Sequence, residues 1–186
     1  MEHRLIFAGF GGQGVMLMGQ LVAYAGMLEG KHVAWIPSYG PEMRGGTANC
    51  AVTVSERPVA SPIVYEPTGA IVLNQPSLEK FGPLLVPGGL LLINSSLIGR
   101  SSPRTDIAQL CLAANDLANQ LGNLKVANMF LLGALLRLTN VVDKESIMAA
   151  LQKILPPRRH NLLPVNRAAL ETGMEQAASS VRPSRV

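Results

Sequence analysis

The chain has 186 residues, enough for one domain with a sizeable core, and 48% apolar against 15% charged residues describes an ordinary globular protein. Its formal charge of +4 comes partly from Arg158, Arg159, Arg167, Arg182 and Arg185 and forms no basic face interleaved with aromatics, so nucleic acid is not a predicted partner. No run reaches the roughly 18 uninterrupted apolar residues of a membrane span. Glu2-His3-Arg4 leads directly into the first strand-like run without a signal-peptide pattern, and the expected location is the cytoplasm.

Leu5 to Ala8 read as a buried strand within a predicted strand 4–9, and Gly9, Gly11 and Gly14 then satisfy G-x-G-x-x-G, with Gly12 as an extra glycine. An apolar helix follows over 14–29, stopped by Gly30. Glycines at such a turn allow a sharp bend and close approach of a phosphate, while free N–H groups at the helix start favour an anion. The same glycines equally suit a tight turn that packs helix on strand and binds nothing. Gln13, an amide at the helix mouth, favours a ligand or a partner's backbone. A dinucleotide site would need an Asp or Glu about 20 residues on. The next strand, 32–36, runs instead into Pro37-Ser38-Tyr39, so NAD or FAD is disfavoured.

Residues 37–46 read as a glycine- and proline-rich loop, followed by an alternating strand from Thr47 to Ser55. Strands are predicted at Ala70 to Leu73 and Leu90 to Asn94, with an edge strand at Ile107 to Leu112 and a short helix at Gln75 to Phe81. Helices follow over 113–121, 127–139, 143–155 (capped by Asp143) and 165–180. The pattern is that of an α/β fold, a Rossmann-like doubly wound and mostly parallel sheet with C-terminal covering helices. One domain is expected over 1–180, with a disordered tail at 181–186.

Cys50 and Cys111 form no CxxC pair and have no histidine at ligand spacing, so no metal site is predicted and two buried thiols are expected. His3, His32 and His160 read as solvated. Low surface charge and a first helix apolar on nearly every face predict that the isolated chain self-associates. Ser38, Tyr39, Glu42, Met43, Arg44, Gly45 and Gly46 form the second unusual element. They follow a strand's C-terminal end, where open sheets carry ligands and partners, and this loop is a candidate interface.

Taken together, Gly9-Phe-Gly-Gly-Gln-Gly-Val15 and Ser38-Tyr-Gly-Pro-Glu-Met-Arg-Gly-Gly46 resemble the gamma subunit of 2-oxoacid:ferredoxin oxidoreductases. The likeness is greatest to the 2-oxoglutarate synthase type and includes the gamma family of pyruvate and ketoisovalerate oxidoreductases. Residues from Asn123 to Gly133, with Asn166, Ala168 and Gly173, are similar too, and the resemblance covers residues 3 to about 175. It implies an accessory subunit of a complex that oxidatively decarboxylates a 2-oxoacid to an acyl-CoA and reduces ferredoxin. Thiamine diphosphate, magnesium and iron–sulfur clusters would then sit on partners, namely the alpha and beta (thiamine-binding) subunits and a ferredoxin-like subunit or ferredoxin. No catalytic residue is assigned to this chain. Gly9, Gly11, Gly12, Gln13 and Gly14 are the candidate anion site, suited to a coenzyme A diphosphate. The competing expectation is a free-standing flavin- or nucleotide-binding protein with the glycine turn as its whole site.

Overall fold

Apolar runs long enough for one strand each, separated by glycine turns and helices, build a six-stranded sheet of order β2-β3-β1-β4-β5-β6 in the computed structural model, which describes residues 1–39 and 47–180. The strands are β1 (Glu2–Phe10), β2 (His32–Tyr39), β3 (Thr47–Ser55), β4 (Gly69–Val72), β5 (Leu90–Asn94) and β6 (Ala108–Leu112). The helices are α1 (Val15–Leu28), α2 (Gln75–Phe81), α3 (Ala114–Gln120), α4 (Ala127–Thr139), α5 (Lys144–Ile154) and α6 (Leu163–Ser180). The expected loop residues Gly40, Pro41, Glu42, Met43, Arg44, Gly45 and Gly46 and the expected tail 181–186 lie outside the described residues.

The expected α/β class holds, and β1, β4, β5 and β6 are parallel neighbours. One feature departs from a simple parallel order. β3 is antiparallel and lies between β1 and β2, with Gly9 opposite Ala48 and Ala48 opposite Tyr39. β2 also runs longer than expected, because Pro37 and Ser38 continue it to Tyr39. Proline is tolerated there because β2 is an edge strand, where a missing ladder N–H can face outward.

Alternation along the strands divides the core in two. Leu5, Phe7, Val52, Val54, Ile71 and Leu92 face α1, α3, α4, α5 and α6, whereas Ile6, Ala8, Val72, Leu91 and Ile93 face α2 and its neighbouring loops. One face of α1 packs between the sheet and α5, where Met18, Leu21, Val22 and Ala25 are fully buried, while Met16, Leu17 and Tyr24 are half-buried and Met27 and Leu28 exposed. At its ends, Gly14 and Gly30 take φ of 79° and 72°, the left-handed region where a side chain is strained.

Two smaller expectations are corrected. Asp143 occupies the cap position of α5 but its side chain caps nothing; its backbone N–H instead donates to Glu29 Oε1 at 2.7 Å. Only Cys50 is a buried thiol, donating to the Val15 carbonyl at 3.6 Å, and burial pushes its pKa up to about 11. Cys111 is exposed because it lies on the α2 side of the edge strand β6, opposite Ile93. Of the histidines His32 is exposed, but His3 and His160 are half-buried. Burial, then the nearby Lys31 charge, lowers the pKa of His3. His160 Nε2 lies 3.0 Å from the Leu155 carbonyl.

Candidate functional site

The strand order reverses between β1 and β4, and in a doubly wound sheet the crevice beyond the carboxyl ends of such strands is where ligands bind. The glycine turn leaves β1 at that place. Gly9 is needed for close approach: a Cβ there would meet Gln13 Oε1 at 2.6 Å and Leu73 Cβ at 2.8 Å. Gly12, at φ 90°, and Gly14 are needed for backbone conformation, and a Cβ on Gly14 would also collide with the Asn128 amide. Gly11 takes no positive φ, so its place in the motif has no such conformational reason.

Gln13 does not reach outward as expected. Its Oε1 accepts the Phe10 N–H at 2.6 Å and its Nε2 donates to the Leu73 carbonyl at 3.4 Å. The side chain thus ties the ends of β1 and β4 together across the switch point, and its amide is occupied by the fold.

A cleft of about 260 Å³ opens beside this turn, between the start of α1, the start of α4 and the ends of β4 and β5. Its walls carry Gly12, Gln13, Asn94, Asn115, Lys125 and Asn128. Asn94 ends the buried strand Leu90-Leu-Leu-Ile and faces the α3/α4 side, with Nδ2 donating to Asn115 Oδ1 at 2.8 Å. Its Oδ1, buried with the residue 1% exposed, has no hydrogen-bond partner. Asn128, 3% exposed, donates from Nδ2 to the Gly14 carbonyl at 3.4 Å and so joins α4 to the cap of α1. Neither α1 nor α4 has a side-chain cap or an acidic residue in its first turn. The start of α1 therefore offers unpaired N–H groups and the positive end of its dipole, whereas α4 continues from a turn at Leu124–Val126, where the Asn123 side chain accepts the Lys125 N–H at 3.1 Å and the Ala127 N–H donates to the Leu124 carbonyl.

Sequence reasoning missed this carboxamide set, although an asparagine closing a buried apolar strand is a usable signal. Ser38 and Tyr39, the described start of the second motif, lie at the same end of the sheet as the glycine turn. Gly9 and Tyr39 flank Ala48, so the turn and the start of the 38–46 loop are two strand spacings, about 10 Å, apart. Of the interface candidates, Ser38 is exposed at the end of β2 and Tyr39 pairs through its backbone, while Glu42, Met43, Arg44, Gly45 and Gly46 lie outside the described residues. Because β3 intervenes, the end of β2 does not adjoin the turn as it would in a dinucleotide fold, so an acid at that position would be displaced from a ribose.

Among the described residues, no group of three or more His, Cys, Asp or Glu could hold a metal ion. None of their helices is long and apolar enough to cross a membrane.

Comparison with known proteins agrees with this geometry. The family model described as "Pyruvate ferredoxin/flavodoxin oxidoreductase" matches residues 4–176. The chain is 36% identical over 181 residues to the ketoisovalerate oxidoreductase subunit VorA of Methanothermobacter thermautotrophicus, covering 97% of the chain but 37% of that subunit's length. It is 34% identical over 159 residues to the 2-oxoglutarate synthase subunit KorC of Methanocaldococcus jannaschii, covering 84% of the chain and 85% of KorC. The solved gamma subunit of a keto/oxoacid ferredoxin oxidoreductase from Geobacter sulfurreducens superposes with a TM-score of 0.82 at 30% identity, over 96% of this chain and 99% of that one.

Proposed function

The chain belongs to the pyruvate ferredoxin/flavodoxin oxidoreductase family, and we propose that it serves as the gamma-type subunit of a multisubunit 2-oxoacid:ferredoxin oxidoreductase. Residues 1–180 act in this reading as one gamma-type domain in a cytoplasmic complex. The observation that carries it is the near full-length correspondence with separate gamma-type chains, 85% of KorC and 99% of the Geobacter sulfurreducens subunit. The resemblance of both motifs and the KorC relative favour 2-oxoglutarate as the substrate; the VorA relative makes a branched 2-oxoacid the alternative to compare.

The iron–sulfur clusters belong on partner subunits, since cluster ligation requires several cysteine thiolates and the sequence has two cysteines, and the resemblance implies the same of thiamine diphosphate and magnesium. This chain's share is positional. The backbone N–H groups of Gly11, Gly12 and Gly14 at the start of α1 suit one phosphate of coenzyme A. Gln13 acts there indirectly, by fixing the turn through Phe10 and Leu73.

Purifying the chain from its own organism tests the reading: a thiamine-binding chain and a second large chain are expected in the same peak, and elution without them contradicts it. The loop Ser38 to Gly46 is the proposed docking element, and Arg44 its principal side chain. A guanidinium can grip a carboxylate with two parallel hydrogen bonds that lysine cannot copy. Arg44→Lys should leave the isolated subunit's melting temperature unchanged while weakening co-elution with partners or 2-oxoacid-dependent ferredoxin reduction. Loss of one partner of a desolvated charge pair costs about 2–5 kcal/mol, whereas a solvated turn costs almost nothing. Equal co-elution and activity would assign docking to another surface.

A further inference from the structure

We propose that Asn128, on α4, is a positioning residue for the reaction: it holds the first peptide of α1 in the orientation that the proposed phosphate site needs, a role that rests on that reading. It acts through Gly14 rather than on the substrate.

Two residues that break local rules meet at this point. Gly14 caps α1 at φ 79°, where any residue with a side chain is strained. Asn128 is the one polar side chain among the buried residues of α4. Asparagine favours caps and turns over helix interiors, yet here it lies inside the helix, and the cap position of α4 is Val126, which makes no side-chain cap bond. A leucine or methionine would suit both the helix and the core better. The contact between the two residues accounts for each. A Cβ on Gly14 would collide with the Asn128 amide and lie 2.9 Å from its Cγ, so glycine leaves the space that the amide fills. In turn Asn128 Nδ2 donates to the Gly14 carbonyl at 3.4 Å, and that carbonyl also accepts the Met18 N–H at 3.0 Å.

The peptide plane carries this contact to the helix start. The Gly14 carbonyl and the Val15 N–H belong to one planar trans unit, so a pinned carbonyl directs the N–H. Val15 opens α1, where the first N–H groups have no intrahelical partner. Gln13 fixes the other side of the turn through Phe10 and Leu73. The turn is therefore held from the sheet by Gln13 and from α4 by Asn128, 114 residues further along the chain than Gly14. Donors held in place meet an anion without first having to be ordered. A glycine without this restraint populates left- and right-handed φ alike, and the ligand would have to select one.

The test uses the complex from the chain's own organism, depleted of the wild-type chain and replenished with variants. KM for coenzyme A, kcat and the melting temperature of each isolated variant are read. Asn128→Ala removes the donor, and Asn128→Asp puts an acceptor in its place. Each should raise KM for coenzyme A about fivefold or more while kcat changes less than about twofold. In the isolated chain the amides of Val15 and Met16 should exchange with deuterium at least about fivefold faster than in wild type. Gly133→Ala is the control for lost stability, because it disturbs α4 on its α6 side, and it should leave KM at the wild-type value. Asn128 variants that lower the melting temperature but leave KM and the exchange rates untouched would assign the residue a merely structural role and overturn the proposal. Gly12→Ala, whose new methyl would stand in open space on the cleft wall, separates the two readings. KM raised by Gly12→Ala but by neither Asn128 variant defeats the positioning role and leaves the phosphate site standing; KM unmoved by all three defeats both.

Discussion

Gly133→Ala and Gly173→Ala should each destabilise the chain by about 3 kcal/mol, the upper end for an overpacked core. The crossing of α4 and α6 is the reason. A Cβ on Gly133 would collide with the Leu170 carbonyl oxygen and come within 2.9 Å of its carbon; a Cβ on Gly173 would collide with the Phe130 carbonyl and meet its carbon at 2.7 Å. These obstacles are backbone atoms, so no rotamer change relieves them, and the helices must separate. Separation loosens buried Phe130 and Leu170, which are 1% and 0% exposed. For a chain of this length the melting temperature should fall by roughly 6–12 °C. Gly30→Ala is the control, since Gly30 has positive φ but open space around its Cβ position, and it should lose only about 1–2 kcal/mol. A Gly133→Ala protein that melts like wild type would show that α4 and α6 do not meet backbone to backbone.

The glycine turn should show a graded response. Gly14→Ala combines a left-handed φ of 79° with a collision against the nearly buried Asn128, whose Cγ would lie 2.9 Å from the new methyl. Strain of about 1–2 kcal/mol adds to the loss of the Asn128 bond to the Gly14 carbonyl, for a total of about 2–3 kcal/mol. Gly12→Ala, at φ 90° with nothing nearby, should show the strain alone. Gly11→Ala should carry no left-handed strain because its φ is not positive. Calorimetric melting checks that Gly14→Ala loses more than Gly12→Ala. Equal losses at all three positions would mean that the turn is held by something other than these dihedrals and contacts.

The difference among the three glycines illustrates what sequence discloses. G-x-G-x-x-G between an apolar strand and an apolar helix places the turn correctly, because local periodicity and punctuation determine it. The same text cannot separate a glycine required by φ from one that merely fits the pattern. Thr47 to Ser55, Gln75 to Phe81 and Leu90 to Asn94 are legible to the residue, since alternation or an apolar run ends at a turn in each. The position of β3 depends on pairing between distant segments and is less visible. One signal was present: the link between predicted strands 32–36 and 47–55 is shorter than the dozen or more residues that a parallel crossover needs, which favours an antiparallel pair.

The candidate site was half legible for the same reason. Its glycine half lies in one contiguous motif, whereas Asn94, Asn115, Lys125 and Asn128 come from β5, α3, the turn before α4 and α4 itself. Gln13 was placed correctly and read in the wrong direction. Its Nε2 looks free in sequence because the carbonyl to which it donates, that of Leu73, is distant along the chain, whereas the bond its Oε1 accepts from the Phe10 N–H is local.

Omission with add-back tests most directly whether this chain is a working part of an oxidoreductase complex. Coenzyme A-dependent reduction of ferredoxin by 2-oxoglutarate and by branched 2-oxoacids would be followed in the complex from the chain's own organism, depleted of the chain and then replenished with it. Depletion should abolish the reaction and add-back restore it, most strongly with 2-oxoglutarate. Undiminished ferredoxin reduction by the depleted complex with every 2-oxoacid would contradict it.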